Sequence, residues 1–257
     1  MQNLNFTVVQ THLYWEDIKA NLAHFTLKLE NVEQTDVIIL PEMFSTGFSM
    51  STKQLGAESA ELTLSWMQEM AREKQAAIVG SYMNYIPETG KYYNTLAFAE
   101  PEGKVHFYHK RHLFTPGDES KHYTAGRDRL IVEYKGWKIC PLICYDLRFP
   151  VFSRNTEEYD LLIYVANWPE VRNYAWQQLL KARAIENQCY LIACNRIGED
   201  GNGVKHAGNS CIVNFMGEEI GFSNEDKNYQ FYLGKAPLIN YRDQFPVLRD
   251  RDDFQLI

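Results

Sequence analysis

The stretch "ICPLICYDLRFP", residues 139–150, places a cysteine where an apolar run ends and a charged turn closed by proline begins. A short apolar run bounded by turn residues is typical of a buried strand. Free cysteine is often a small buried side chain, so Cys144 has an ordinary interpretation as part of the core. Strand ends are also where α/β proteins hold reactive groups, because the carboxyl ends of parallel strands open onto a crevice. The rest of the sequence decides between these two interpretations.

The chain before this stretch alternates between strand and helix patterns. Apolar runs at 4–10 and 36–44 read as strands, and the segment 15–34 between them has apolar residues at helical spacing. A second helical pattern at 61–75 leads into another apolar strand at 76–85. This order is typical of a βαβ opening and predicts the α/β class.

The remaining patterns continue the alternation. Hairpins are predicted at 93–110, 129–144 and 210–222, strands at 160–169 and 189–198, and a helix at 170–188. No internal repeat, low-complexity segment or linker interrupts the chain. We therefore expect a single domain over residues 1–257, with a core at about 3–235 and a C-terminal tail at 236–257 that begins as a helix and ends as a docking segment.

Composition excludes several classes of partner. The chain has 257 residues, 45% of them hydrophobic, and a formal net charge of −7 without long blocks of one sign. It therefore has no basic footprint for nucleic acid or an anionic membrane surface. The N-terminus lacks a positive start followed by an apolar run, and no stretch reaches the roughly 18 to 20 apolar residues that span a bilayer. We expect a cytoplasmic protein.

The cysteines and histidines give no sign of a metal or a disulfide framework. The five cysteines are an odd set without a C-x-x-C pair. His109 and His112 lie three apart, but no second half of a metal site is near them. No phosphate-binding glycine motif is present, and "GEDGNG" at 198–203 reads as a flexible turn between strands. We expect neither a metal nor a nucleotide cofactor.

Three residues with complementary chemistry follow predicted strands: Glu42, Lys110 and Cys144. A thiolate attacks a carbonyl or nitrile carbon, and a thiol with a pKa of about 8.5 needs help to ionise near neutral pH. A carboxylate such as Glu42 takes the proton, passes it to a leaving amine and later activates water. The Lys110 ammonium and the backbone N–H of Tyr145 would stabilise the oxyanion of the tetrahedral intermediate.

The segments that carry these residues resemble a known family. "LPEMF", "YHKRHLF" and "CYDLRFP", in this order, resemble the three signature segments of the nitrilase superfamily of carbon–nitrogen hydrolases, whose catalytic triad is the Glu, Lys and Cys of those segments. "DESKHYTAG", "VANWP", "RAIENQCYLIACNRIG" and "DGNG" extend the likeness over most of residues 3–235. The fuller pattern is similar to the bacterial omega-amidase branch. Val151 departs from the family, because many members have Glu at this position.

The resemblance implies further site residues. Glu119 matches a second glutamate that positions the lysine and the substrate in the family, with a surface acid as the ordinary alternative. Phe48, Phe114 and Trp168 flank the motifs and either line the substrate pocket or pack in the core. Arg148 resembles a clamp for a substrate carboxylate, although we favour its bracing the turn around "CYDLRFP".

The resemblance also implies a fold and a reaction. The fold is a four-layer αββα sandwich of two facing sheets covered by helices, and family members usually pair into homodimers. The reaction is hydrolysis of the terminal amide of short dicarboxylic acid monoamides, such as 2-oxoglutaramate and 2-oxosuccinamate, to the dicarboxylate and ammonia through a Cys144 thioester. The partner is then a small-molecule amide, and no cofactor is required.

Alternatives from other classes stay open. Another amidase, an N-carbamoyl hydrolase or a true nitrilase would use the same three groups. A Cys-His-acid hydrolase would instead use His109, His112 or His206 as its base. A catalytically silent binding module would keep the fold without turnover, because a fold alone does not assign function.

Overall fold

A computed structural model describes residues 3–255 of the chain. The strands are β1 Leu4–Gln10, β2 Val37–Ile39, β3 Ala77–Ile86, β4 Lys91–Ala99, β5 Val105–His109, β6 Val132–Tyr134, β7 Trp137–Ile143, β8 Leu161–Ala166, β9 Tyr190–Asn195, β10 Ile197–Glu199, β11 Lys205–Ala207, β12 Ser210–Val213, β13 Glu219–Ser223 and β14 Lys227–Leu233. The helices are α1 Ile18–Leu29, α2 Thr52–Lys74, α3 Glu119–His122, α4 Pro150–Ser153, α5 Asn173–Asn187 and α6 Lys235–Gln244. Short 3-10 helices cover Thr115–Gly117, Cys144–Arg148, Glu170–Arg172 and Val247–Asp250.

All strands within residues 3–255 except β10 and β11 belong to two mixed sheets of six strands each. One has the order β14-β1-β2-β3-β4-β5 and the other the order β13-β12-β9-β8-β7-β6. In the first sheet β1, β2 and β3 are parallel, and in the second β7, β8 and β9 are parallel. Strands β10 and β11 form a separate hairpin. The predicted α/β class and the predicted hairpins are confirmed.

Successive side chains along the strands of the first sheet belong alternately to two apolar layers. One set of side chains belongs to a core shared with the second sheet, namely Val8, Val37 and Val79. Their neighbours Val9, Ile38 and Ile78 belong to a second core with α1 and α2. This division follows from the period of two in a strand, which sends successive side chains to opposite faces.

The two sheets face each other, and helices cover their outer sides. Phe6 of β1 meets Trp137 of β7 edge to face, with ring centroids 6.3 Å apart. On the other side of the second sheet, Trp176 and Leu180 of α5 are fully buried in the core. Each such buried side chain contributes about 1.5 to 3 kcal/mol. The expected four-layer αββα sandwich is thereby confirmed.

The chain after residue 223 returns to the first sheet. Strand β14 pairs antiparallel with the full length of β1, from Leu4 opposite Leu233 to Gln10 opposite Lys227. We did not predict this strand. The C-terminal helix was predicted and is present as α6. No helix within residues 3–255 is long and apolar enough to cross a membrane.

Candidate active site

The three residues proposed for catalysis lie at the carboxyl ends of strands. Glu42 follows β2 after a Leu-Pro step, Lys110 follows β5, and Cys144 follows β7. β5 runs in the same direction as β2, because it is antiparallel to β4 and β4 is antiparallel to β3. β2 and β5 therefore place Glu42 and Lys110 at one edge of their sheet, and Cys144 reaches the same place from β7, because all three line one cavity. Such strand ends are where α/β proteins usually bind ligands.

Cys144 begins its 3-10 helix in a strained backbone conformation. Its φ is +42°, in the left-handed region that side chains other than glycine rarely adopt. Such a residue costs about 1 to 3 kcal/mol and persists only where its surroundings hold it. Strain of this kind is common at catalytic positions, so the backbone singles out Cys144 among the five cysteines.

The buried carboxylate of Asp146 holds this turn in place. Its Oδ2 accepts the backbone N–H of Ile143 at 3.0 Å and the hydroxyl of Tyr108 at 2.7 Å. Its Oδ1 accepts the backbone N–H of His112 at 3.0 Å and contacts His112 Nδ1 at 2.8 Å. One carboxylate thus ties the strand end that carries Lys110 to the turn that carries Cys144.

Glu42, Lys110 and Glu119 form a buried charge cluster in which no residue is more than 1% exposed. Lys110 Nζ donates to Glu42 Oε1 at 2.8 Å and to Glu119 Oε2 at 2.9 Å. The side-chain amide of Asn94 donates to Oε1 of both glutamates, at 2.9 and 3.1 Å. The second oxygen of Glu42 accepts the backbone N–H of Asn167 at 2.8 Å. The surface alternative for Glu119 is wrong, because this carboxylate is fully buried against Lys110.

Burial and charge set the protonation of this cluster. Burial alone lowers the pKa of Lys110, but the carboxylates of Glu119 and Glu42 more than offset it, so the pKa is raised and the ammonium stays charged. Burial raises the pKa of the Glu119 carboxyl, and Lys110 opposes that effect. Burial and the Glu42 carboxylate raise the pKa of the Cys144 thiol well above its ordinary value, against the lowering effect of Lys110. The Cys144 thiol is therefore neutral near pH 7.

A cavity of about 330 Å³ opens onto these residues. Glu42, Lys110 and Cys144 line it together with Phe48, Met50, Phe114, Tyr145, Arg148, Trp168 and Arg172. Its volume suits a small organic molecule, and its walls combine aromatic rings with a few convergent polar groups. The cavity thus brings a thiol, a carboxylate and an ammonium to one small space.

The carbon–nitrogen hydrolase family model matches residues 6–229. The chain belongs to this family. It is similar to "Omega-amidase YafV" of Escherichia coli strain K12, with 46% identity over all of both chains. It is also similar to "2-oxoglutaramate amidase" of Bacillus subtilis strain 168, with 35% identity over 91% of each chain.

Solved structures of the family have the same fold. The carbon–nitrogen hydrolase superfamily protein XC1258 of Xanthomonas campestris, whose active site holds an arsenic adduct, superposes with a TM-score of 0.95, with 39% identity over 100% of both chains. Nit3 of Saccharomyces cerevisiae, a member of the nitrilase superfamily, is 22% identical over 95% of both chains and superposes with a TM-score of 0.86, a likeness of fold alone.

Two asparagines and one arginine of this hydrolase's site were not predicted. Asn94 lies within β4 and bridges the two glutamates, while Asn167 binds Glu42 through its backbone N–H and also donates its side-chain amide to the Glu42 carbonyl. Arg172 lines the cavity from the 3-10 helix before α5. The available signals were a polar residue inside each of two apolar runs, "YNTLAF" and "VANWP".

Two of the three histidines considered as an alternative base have other partners. His109 Nδ1 lies 2.8 Å from the hydroxyl of Thr95, and His112 pairs with Asp146 while its ring stacks on Phe149. His206 lines the cavity, and burial lowers its pKa to about 4. Glu42 and Lys110 are the charged groups that act on the Cys144 thiol. Within residues 3–255, no cluster of three or more His, Cys, Asp or Glu side chains is arranged to hold a metal ion.

The hairpin of β10 and β11 forms one wall of the cavity. Asp200, Asn202, Val204 and His206 face it from this hairpin, whose turn is the predicted "GEDGNG" segment. A Cβ atom at Gly201 would lie 2.3 Å from the Trp15 indole, so glycine is required for this close approach. The turn is thereby fixed against the N-terminal half of the chain.

Proposed function

We propose that this hydrolase is an omega-amidase that cleaves the terminal amide of short dicarboxylic acid monoamides such as 2-oxoglutaramate. The observation that carries the proposal is the convergence of Cys144, Glu42 and Lys110 on one small cavity. Full-length similarity to an omega-amidase and similarity to a 2-oxoglutaramate amidase support this substrate class.

Acylation begins from the neutral thiol. Glu42 accepts the Cys144 proton as Sγ attacks the amide carbon, and the carbonyl electron pair moves to oxygen. Protonated Glu42 then donates that proton to the amide nitrogen. The C–N bond breaks, ammonia leaves, and a thioester of Cys144 remains. Glu42 lies next to the thiol, so no histidine is needed for this step.

Deacylation uses the same carboxylate. Glu42 takes a proton from water as the water oxygen attacks the thioester carbon, and a second tetrahedral intermediate forms. Its collapse breaks the C–S bond and releases the dicarboxylate. The departing sulfur recovers the proton from Glu42, so the enzyme returns to its initial state.

Lys110 stabilises the oxyanion in both steps, together with the backbone N–H of Tyr145. A preorganised donor in a water-poor cavity acts most strongly where charge develops, and one such donor contributes roughly 3 to 4 kcal/mol in known enzymes. Glu119 is a positioning residue, because its two oxygens hold the Lys110 ammonium at 3.1 and 2.9 Å. It acts through Lys110 and does not touch the reacting atoms.

Ammonia release from a substrate panel tests the proposed function. The panel contains 2-oxoglutaramate, 2-oxosuccinamate, glutaramate, glutamine, asparagine and simple nitriles, assayed with the wild type and with Cys144→Ala. We expect the oxo acid amides to be the best substrates and the variant to be inactive on all. We expect glutamine and asparagine to be poor, because an α-ammonium would lose its hydration in a cavity whose wall carries the like charges of Arg148 and Arg172.

Other outcomes of the panel point to other functions. Turnover of nitriles without amides would identify a nitrilase. N-carbamoyl amino acids, assayed beside the panel, would be the only substrates of an N-carbamoyl hydrolase. Full activity of Cys144→Ala would refute the thioester mechanism. No turnover and no acyl-enzyme across a broad amide panel would favour a silent binding module.

We also infer a one-domain cytoplasmic homodimer. Large apolar side chains are exposed where α5 begins, at Val171 (86% exposed) and Tyr174 (77% exposed), and a partner subunit would cover them. Light scattering of the purified chain tests this inference, with Tyr174→Ser expected to weaken the dimer. A monomer at all concentrations would contradict it.

A further inference from the structure

Two guanidinium groups face the substrate cavity without an anionic partner. Arg148 and Arg172 both line it, and in the described part of the chain neither side chain forms a hydrogen bond or an ion pair. Each lies over an aromatic ring: Arg148 Cζ is 4.9 Å from the centroid of Trp168, and Arg172 Cζ is 5.2 Å from that of Phe114. The rings hold the guanidiniums by cation–π attraction but leave their N–H donors available.

Trp168 connects the two arginines. Its ring lies beneath Arg148, while its indole N–H donates to the backbone carbonyl of Arg172 at 2.9 Å. Trp168 is 3% exposed and packs on Trp176, with centroids 5.2 Å apart. A rigid, buried indole therefore fixes both the face on which Arg148 lies and the backbone from which Arg172 projects.

The other charged groups on the cavity wall are already engaged. Lys110 is held between Glu42 and Glu119. Asp200 uses Oδ1 to accept the backbone N–H groups of Asn202 and Val204, at 2.8 and 3.0 Å, within its own turn. An anion that enters the cavity thus meets two guanidiniums with free N–H donors, in addition to the Lys110 ammonium.

We propose that Arg172 acts with Arg148 as a carboxylate-binding subsite that selects amides bearing a carboxylate at the far end of the molecule. The inference rests on the proposed amidase function and adds the residue that discriminates among amides. A guanidinium presents a planar pair of donors that matches a carboxylate, and charge-assisted bonds of this kind are the strong ones. Binding energy gained at the distant carboxylate holds the amide carbon against Cys144.

Two substrates of equal chain length test the subsite. Glutaramate carries a terminal carboxylate, and pentanamide has a methyl group at the same place. The variants are Arg172→Gln, Arg172→Lys and the control Arg249→Gln, which changes an exposed arginine elsewhere on the surface. Thermal unfolding of each variant confirms that it is folded.

We expect Arg172→Gln to lower kcat/KM for glutaramate by about 10- to 100-fold, the value of one charge-assisted hydrogen bond. Its activity on pentanamide should stay close to that of the wild type. Arg172→Lys should fall between the two, because it keeps the charge but loses the planar pair of donors. Arg249→Gln should match the wild type on both substrates.

Equal losses on both substrates, or no loss on glutaramate, would overturn the assignment of Arg172. If the turnover of pentanamide is too slow to measure, the inhibition constant of glutarate is measured instead, because glutarate binds without reacting. We expect that constant to rise by about 10- to 100-fold in Arg172→Gln, and an unchanged constant would overturn the inference. A wild type that prefers pentanamide to glutaramate would instead contradict the proposed function itself.

Discussion

Replacement of Glu42 by glutamine should change the acidity of the Cys144 thiol and the rate of amide turnover in opposite directions. The Glu42 carboxylate raises the pKa of that thiol, whereas Lys110 lowers it. Glu42→Gln removes the negative neighbour and retains the positive one. The thiol should therefore become more acidic while amide turnover is lost, because the group that takes and returns the proton is gone.

Three separate effects are expected from this change. Loss of a general base costs roughly 100- to 10,000-fold in rate. Removal of a close like charge should move the midpoint of thiol ionisation to lower pH. The glutamine oxygen can still accept from Asn94 and Lys110, but its NH₂ group then faces the N–H of Asn167. One unpaired buried donor lowers the free energy of unfolding by about 1 to 3 kcal/mol. Each kcal/mol lowers Tm by about 2 to 4 °C in a chain of this size.

The assay measures alkylation of Cys144 by iodoacetamide as a function of pH, beside ammonia release and thermal unfolding. Cys144 lines the cavity, whereas the other four cysteines are buried in the core, so modification should be selective. Glu102→Gln, at an exposed position, is the matched control. Substantial amide turnover in Glu42→Gln would refute its role as base. An alkylation midpoint that does not fall would refute the electrostatic argument.

Four further perturbations test the site and the core. Cys144→Ser should fold normally and lose several orders of magnitude in turnover, because a hydroxyl is a much poorer nucleophile without a strong base; near-normal ammonia release would contradict this. Lys110→Ala should lower kcat rather than only raise KM, and should lower Tm by leaving two buried carboxylates without a cation; a change confined to KM would exclude the oxyanion role. Asp146→Asn should reduce kcat by about 100-fold through a displaced Cys144, with thermal unfolding to monitor the fold; unchanged kcat would show that the turn does not need this carboxylate. Burial raises the pKa of Cys140 to about 12, so above about pH 9 the folded chain keeps a proton that the unfolded chain releases. The free energy of unfolding, measured under reducing conditions, should therefore fall with rising pH by about 1.4 kcal/mol per pH unit for each such thiol. Cys140→Ala should make that slope shallower.

The elements that the sequence predicted are those with a local cause. Buried strands such as β7 and β8 are continuous apolar runs, and helix α1 begins at an Asp17 cap whose carboxylate accepts the N–H of Ala20 at 2.9 Å. β14 was missed because its sequence "KNYQFYL" is polar and half-exposed, with Leu233 as its one fully buried end. Its pairing partner β1 lies more than two hundred residues away, and local patterns do not report such a contact.

The residues of the site also divide into those with a local sequence signal and those that depend on distant contacts. Glu42, Lys110 and Cys144 were predicted because each follows an apolar run and each has a side chain suited to the chemistry. Asn94 and Asn167 were not, because their importance comes from Glu42, which lies 52 and 125 residues away in sequence. Their side chains are common in loops and turns, so only the folded arrangement distinguishes them.

Two cysteines of one short stretch of sequence show why the residue type alone does not identify the proposed nucleophile. Cys140 and Cys144 both belong to the stretch that begins at Ile139, and burial raises the pKa of each thiol. Cys140 lies inside β7 and is fully buried in the core. Cys144 lies one residue beyond the strand, with a positive φ, a cavity in front of it and a carboxylate beside it. Reactivity therefore follows from the end of the strand and from Glu42 rather than from an acidic thiol. In the proposed mechanism the thiol stays protonated, and so weakly reactive toward other electrophiles, until an amide is bound. The thiol then transfers its proton to Glu42 as Sγ attacks the amide carbon.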